Sequence, residues 1–129
     1  MEHELRAALI AWLRAGPAPL DGLNAVEEEA PLRASPPWLG IAASASADWS
    51  TKDRKGREVR VALELHTRGD QIASDAALVS AIDRRVEDMP PVQAGFDVVS
   101  ILFLRARAER RPNNMRSVLF EYRFRCLES

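Results

Sequence analysis

Residues Ala47 to Thr67 read A-D-W-S-T-K-D-R-K-G-R-E-V-R-V-A-L-E-L-H-T, and the second half of this stretch alternates. Val59, Val61, Leu63 and Leu65 fall on one side of an extended chain, and Glu58, Arg60, Ala62, Glu64 and His66 on the other. A period of two with apolar residues on one side marks a strand that buries one face and wets the other. Before it lies Ser50 to Gly56, a polar run holding Lys52, Lys55 and Arg54 and closing on a glycine. That composition predicts a hairpin tip in which Gly56 takes the positive φ of a turn and nothing in the run is held down by the body. Upstream, Trp38 to Trp49 is apolar and built of small residues, which suits the partner strand.

Working outward, Glu2 to Ala15 has Leu5, Ala8, Leu9, Trp12 and Leu13 at helical spacing, a stripe that predicts an amphipathic helix with Trp12 anchored against the sheet. Glu2 and Glu4 suit its N-terminal end and Arg14 its C-terminal end, and Gly16-Pro17 stops it. Pro17 to Pro37 is irregular, with Pro19, Pro31 and Pro36 inside it, a short helical turn expected within Leu20 to Val26, and an acidic triplet Glu27-Glu28-Glu29 that reads as solvated charge. After the central hairpin, Asp70 suits an N-cap. Gln71 to Asp88 predicts a second helix with Ile72, Ala76, Val79, Ile82 and Val86 as its stripe, ended by Pro90-Pro91. The last third predicts a second hairpin turning at Asn113-Asn114. Val118, Phe120, Tyr122, Phe124 and Cys126 share one face of its second strand, with Leu119, Glu121, Arg123 and Arg125 on the other. Both parities of Val98 to Leu104 are apolar, so its inward face is not readable. The expected fold class is α+β: an antiparallel four-stranded sheet with two helices on one face, in helix-hairpin-helix-hairpin order. The chain, 1–129, is expected to be one domain.

Composition narrows the function. The net charge of −1 gives no global basic field to draw nucleic acid. Charge is unevenly placed: Met1 to Leu32 holds two arginines against six acids, and Asp97 to Ser129 seven arginines against four acids. No apolar run of about 18 residues predicts a membrane span. Glu2 and Glu4 stand where a signal peptide carries positive charge, and the single Cys126 forms no internal disulfide, so the expectation is a cytoplasmic product. His66, on the polar side of a strand, reads as a solvated position, and His3 lies at a fraying end. The sequence shows no glycine-rich phosphate loop, no metal-ligand spacing and no nucleophile elbow. No catalytic, cofactor or metal residues are assigned. An alternative from another class is a nucleic-acid-binding module using the arginines of the last hairpin, Arg105, Arg107, Arg110, Arg111, Arg116, Arg123 and Arg125. Against it, the aromatics of Phe120 to Phe124 alternate onto the face opposite Arg123 and Arg125.

The order of elements, with D-W-S-T-K at Asp48 to Lys52, G-R-E-V at Gly56 to Val59 and the closing F-E-Y-R-F-R, resembles the tail-completion or tail-terminator proteins of long-tailed phages. Such proteins also occur in prophages and in phage-derived gene transfer agents. The likeness runs from the first helix (L-R-A-A-L-I-A-W-L-R-A) to the last strand, and the segment from Pro17 to Pro37 departs from it by being longer and more acidic. The resemblance implies a structural protein without enzymatic activity or cofactor. It implies a ring, usually a hexamer, that caps the tail tube, stops its growth and joins it to the head connector or stopper protein. DNA would pass through the channel, with no membrane partner. It implies assembly in the bacterial cytoplasm and a final place in the particle tail. On this reading Trp49, Thr51, Lys52, Arg54, Lys55 and Arg57 at the hairpin tip, with Arg105 and Arg107, are the candidate contacts to a neighbouring subunit or the tube.

Overall fold

The computed structural model describes residues 1–29, 34–70 and 72–129. The expected helix start at Gln71, and Pro31 and Leu32 of the irregular segment, lie outside the described residues. Helix α1 spans Glu2–Arg14, a single 3-10 turn covers Leu20–Gly22, and helix α2 spans Ile72–Glu87. Strands β1 (Ala25–Glu27), β2 (Trp38–Asp48), β3 (Gly56–Arg68), β4 (Val92–Gln93), β5 (Phe96–Arg111) and β6 (Met115–Glu128) form one sheet in the order β1-β2-β3-β6-β5-β4.

This corrects the expected fold class. The sheet is six-stranded, mixed and curled, not antiparallel and four-stranded, because β1 runs parallel to β2 through the pairs Ala25–Trp38, Val26–Leu39 and Glu27–Gly40. The two added strands flank the long hairpins. They escaped the sequence reading for a physical reason: two or three residues are too short for a period of two to register, and β4 directly follows Pro90-Pro91. The helical turn expected within Leu20 to Val26 is confined to Leu20–Gly22, and Val26 is a strand residue.

The core lies between the two helices and one face of β3 and β6. Val59, Val61, Leu63 and Leu65 are buried, as are Phe120, Tyr122, Phe124 and Cys126. Their registers match, with Val59 opposite Phe124, Val61 opposite Tyr122 and Leu63 opposite Phe120. From α1 come Leu5, Leu9, Ile10 and Leu13, and from α2 Leu78, Ile82 and Val86. Burying a side chain of this size contributes about 1.5–3 kcal/mol. Of the expected α2 stripe, Ile82 and Val86 are buried and Val79 packs on the core, but Leu78 is buried while Ala76 is exposed and Ile72 is 61% exposed. Asp75 and Asp83 look inward as hydrogen-bond acceptors, Asp75 from Thr67 Oγ1 at 2.8 Å and Asp83 from the Tyr122 hydroxyl at 2.6 Å. Burial and the Asp83 carboxylate together push the Tyr122 phenol far above its ordinary value, so it stays a donor.

Trp12 packs half-buried against the core, and its polar contacts are made with α2. Its Nε1 donates to the Arg85 carbonyl at 2.6 Å, Arg85 Nε donates back to the Trp12 carbonyl at 2.8 Å, and the guanidinium lies 3.3 Å from the ring centroid. It joins the two helices. On β5 the doubtful parity resolves through bulges: Phe96 and Val98 are buried, the register shifts between Val98 and Ser100, and Ile101 then packs on the core. Asn113 and Asn114 both take left-handed φ, 63° and 59°, as the hairpin turn requires.

Candidate interaction surface

The hairpin tip is tied to the body. Within it, Thr51 N donates to the Arg54 carbonyl at 2.8 Å, and Arg54 N donates to Thr51 Oγ1 at 3.0 Å. The Arg54 side chain then reaches across the sheet end: Nε donates to the Glu128 carbonyl at 2.6 Å and Nη2 pairs with Asp97 at 2.9 Å. Glu128 N closes the join by donating to the Lys55 carbonyl at 2.8 Å. The expectation that nothing intramolecular holds the run fails here, because a sequence cannot show that the chain's last strand ends beside this tip. Gly56 is also needed for a different reason than a left-handed turn. A Cβ there would meet the Trp49 carbonyl oxygen at 2.5 Å and the Cys126 carbonyl oxygen at 2.7 Å, so close backbone approach excludes a side chain. The left-handed glycine is Gly95, at φ 87°.

Of the expected contact residues, Thr51, Lys52 and Lys55 are exposed at the tip, and Trp49 and Arg54 are half-buried at its base. Arg57 lies beside them and pairs with Glu2 at 3.2 Å and Asp48 at 3.5 Å. Ser46 Oγ donates to the same Glu2 carboxylate at 2.6 Å, and that bond, with the backbone bond at Glu2 and the nearby cations, holds the carboxyl down at about 2. Arg105 and Arg107 are not brought to the tip. They stand opposite Glu121 and Leu119 on β6, whereas Arg57 stands opposite Cys126.

They belong instead to the sheet face turned away from the helices, where charges interlock. Arg105 is bidentate to Glu121 at 2.8 and 3.1 Å, which holds the Glu121 carboxyl below its usual range. Arg107 pairs with Glu109 at 2.8 Å, Arg111 lies 3.6 Å from Glu64, and Arg125 donates to Glu58 at 3.1 Å. Arg123 approaches Glu58 at 3.7 Å with its Nε buried and unpartnered. Trp38 stacks on His66 with centroids 4.0 Å apart, His66 contacts Glu64, and Arg125 lies over the Trp49 ring at 5.4 Å. His66 is thus half-covered, not solvated as expected. Most arginines proposed for nucleic acid already face a carboxylate, and Phe120, Tyr122 and Phe124 are buried on the other side. A groove of about 270 Å³ on this face is lined by Ala43, Ala45, Arg60, Ala62, Leu104 and Glu121.

Sequence reasoning missed the carboxylates Glu58, Glu64, Glu121 and Asp97 as partners, because pairing across strands depends on a register the sequence does not print. The acidic triplet is also engaged: Glu27 accepts from Arg14 at 2.6 Å, and Glu28 lies 3.7 Å from Arg6. Both pairs border a groove of about 680 Å³ between α1, the end of β1 and Ile41 to Ser44 of β2. Cys126 is buried, and burial pushes its thiol up to about 11, so it is unreactive at neutral pH. Among the described residues no three His, Cys, Asp or Glu side chains are grouped to hold a metal ion, and no helix is long and apolar enough to cross a membrane.

Two helices cover one face of a curled sheet, a polar tip is tied to one end of it and its outer face is charged. The family described as "Tail completion protein gp17" matches residues 7–127, almost the whole chain. The chain belongs to the tail completion protein gp17 family. A member of this family is a phage tail structural protein, which is the coarse function the sequence resemblance implied. Among solved structures, a chain of "Virion of native gene transfer agent (GTA) particle" superposes on this tail completion protein with a TM-score of 0.71 at 24% identity, covering 98% of this chain and 96% of that one. At that identity the likeness establishes the shared fold. Comparison with curated proteins found no match.

Proposed function

We propose that this tail completion protein forms a ring, a hexamer when assembled, that caps the last layer of the tail tube, ends its growth and presents the surface on which the head connector seats. The observation that carries the proposal is the family match across residues 7–127. The neighbour from a gene transfer agent virion supports a place in the particle, and the family match supports the tail as that place; assembly would precede it in the bacterial cytoplasm. The role is structural, with no reaction and no cofactor; the partners are further copies of the chain, the tube protein, the connector and DNA threading the channel. A ring of head-to-tail contacts needs two different, complementary patches on each subunit. The excess of acids from Met1 to Leu32 and of arginines from Asp97 to Ser129 supplies opposite signs for them. Lys52 and Lys55, exposed at the tip, and Thr51 beside them are free to meet the tube or a neighbour.

The test is loss and rescue. Particles produced without this gene should carry unjoined heads and tails of abnormal length in electron micrographs, and expression in trans should restore joined particles. Normal joined particles without the gene would overturn the proposal.

A further inference from the structure

Both long outer strands keep most of their outward edge unpaired. Among the described residues, β1 covers β2 only at Trp38, Leu39 and Gly40, and β4 covers β5 only at Phe96 and Asp97. The open stretches lie at the same height in the sheet. Asp48 faces Arg57, Arg57 faces Cys126, and Cys126 faces Val98; Ile41 faces Leu63, Leu63 faces Phe120, and Phe120 faces Ala106. So Ile41–Asp48 on one side matches Val98–Ala106 on the other, where Val98 N already donates to the Pro91 carbonyl at 2.7 Å and the open run begins beyond it. A bare edge of this length is a template for pairing, and proteins that must stay single block it with lysine, proline or a covering element. Among the described residues no strand covers the outward edge of that stretch of β2, and from Ala42 to Ala47 it carries only alanine and serine, with one register shift between Ile41 and Ala43.

We infer that these edges are made for each other: β5 of one copy pairs with β2 of the next, so that the ring is closed by continuous β-sheet. This rests on the ring proposed above and names the contact that builds it. Strand direction allows it. β2, β3, β6 and β5 alternate in direction, so a neighbour related by rotation about an axis along the strands sets its β2 antiparallel to β5 and the alternation continues unbroken. Closing a sheet into a barrel staggers neighbouring strands. A stagger that carries β5 towards the neighbour's tip clears both β1 and β4 and brings the basic half of β5, with Arg105 and Arg107, beside Ile41–Asp48. The β5 edge also has apolar surface to cover, since Val99, Leu102 and Phe103 are 52%, 45% and 36% exposed. The joint sets the acids around β1 and β2 near the arginines of β5, which favours head-to-tail order over self-pairing of like edges.

The outward donors can be named. Trp49 N donates to the Gly56 carbonyl at 3.0 Å. Alternation along the ladder then turns the N–H groups of Ala43, Ala45 and Ala47 towards β3 and those of Ser44, Ser46 and Asp48 outward. Hydrogen exchange read at single residues, in free subunit and in purified particles, should show the Ser44, Ser46 and Asp48 amides slowed by about tenfold or more only in the particle. The Ala43, Ala45 and Ala47 amides should be protected in both. Ser44→Pro removes one outward donor without touching the β3 ladder, and Ser44→Ala controls for the hydroxyl that accepts from Arg6. Ser44→Pro should melt like wild type yet leave tails without rings, while Ser44→Ala keeps them. Rings at wild-type stoichiometry with Ser44→Pro, or outward amides equally fast in ringed particles, would overturn the edge joint and leave the ring standing. Wild-type particles with no ring at all would overturn the ring proposal and the joint with it.

Discussion

Arg54→Ala removes the side chain that ties the hairpin tip to the ends of β5 and β6. It loses a hydrogen bond to the Glu128 carbonyl at 2.6 Å, a longer one to the Leu127 carbonyl at 3.4 Å and the ion pair with Asp97 at 2.9 Å. The pair is only partly screened from water, with side-chain exposures of 37% and 36%. Its share is therefore discounted to that of an exposed pair, about 0.2–1 kcal/mol. The bonds to main-chain carbonyls add about 1–2 kcal/mol, at the low end for a charged donor because water can replace it. The sum, about 1–3 kcal/mol, should appear in urea melts of Arg54→Ala against wild type. Asp97→Ala alone should lose less than about 1 kcal/mol, and the double mutant should fall short of the sum of the singles, since both changes delete the same pair. Tip amides from Thr51 to Gly56 should exchange faster in Arg54→Ala. A loss below about 0.3 kcal/mol, with unchanged tip exchange, would refute the view that Arg54 fastens the tip.

Phe120→Ala, at a fully buried site facing Leu63, should lose about 3–5 kcal/mol in denaturant melts; a loss under about 1 kcal/mol would mean that the core face is misassigned. Tyr122→Phe should lose about 1–3 kcal/mol, because Asp83 loses its hydroxyl donor, and Asp83→Asn should recover part of that loss in the Phe background. Glu2 has a folded-state pKa of about 2 against an ordinary 4.5, so its contribution is present above pH 4.5 and lost as pH falls towards 2. The stability difference between wild type and Glu2→Gln should accordingly shrink on acidification; a difference that grows would reverse the assigned sign.

The alternation of Val59 to Leu65 and of Phe120 to Cys126 carried the two central strands and their inward faces, because a half-buried strand must alternate. Three-residue β1 and two-residue β4 carry no such pattern, and with them went the strand count and the one parallel pairing. The α2 stripe was misread around Ala76 and Ile72 because inward Asp75 and Asp83 look polar in sequence and turn out to be acceptors for Thr67 and Tyr122. At the surface, the tip and its basic residues were legible as a polar run. The partner of Arg54 was not, since Asp97 and Glu128 meet it only after the sheet has formed. The open edges of β2 and β5 were equally hidden: an edge is a property of strand order, not of any one strand.

Cryo-electron microscopy of the tail end in particles produced with this chain, at a resolution that traces strands, would show directly which protein closes the tube. A ring of copies of this protein is expected between the last tube layer and the head connector. Density for any other chain at that position, with this protein elsewhere or absent from the particle, would contradict this expectation.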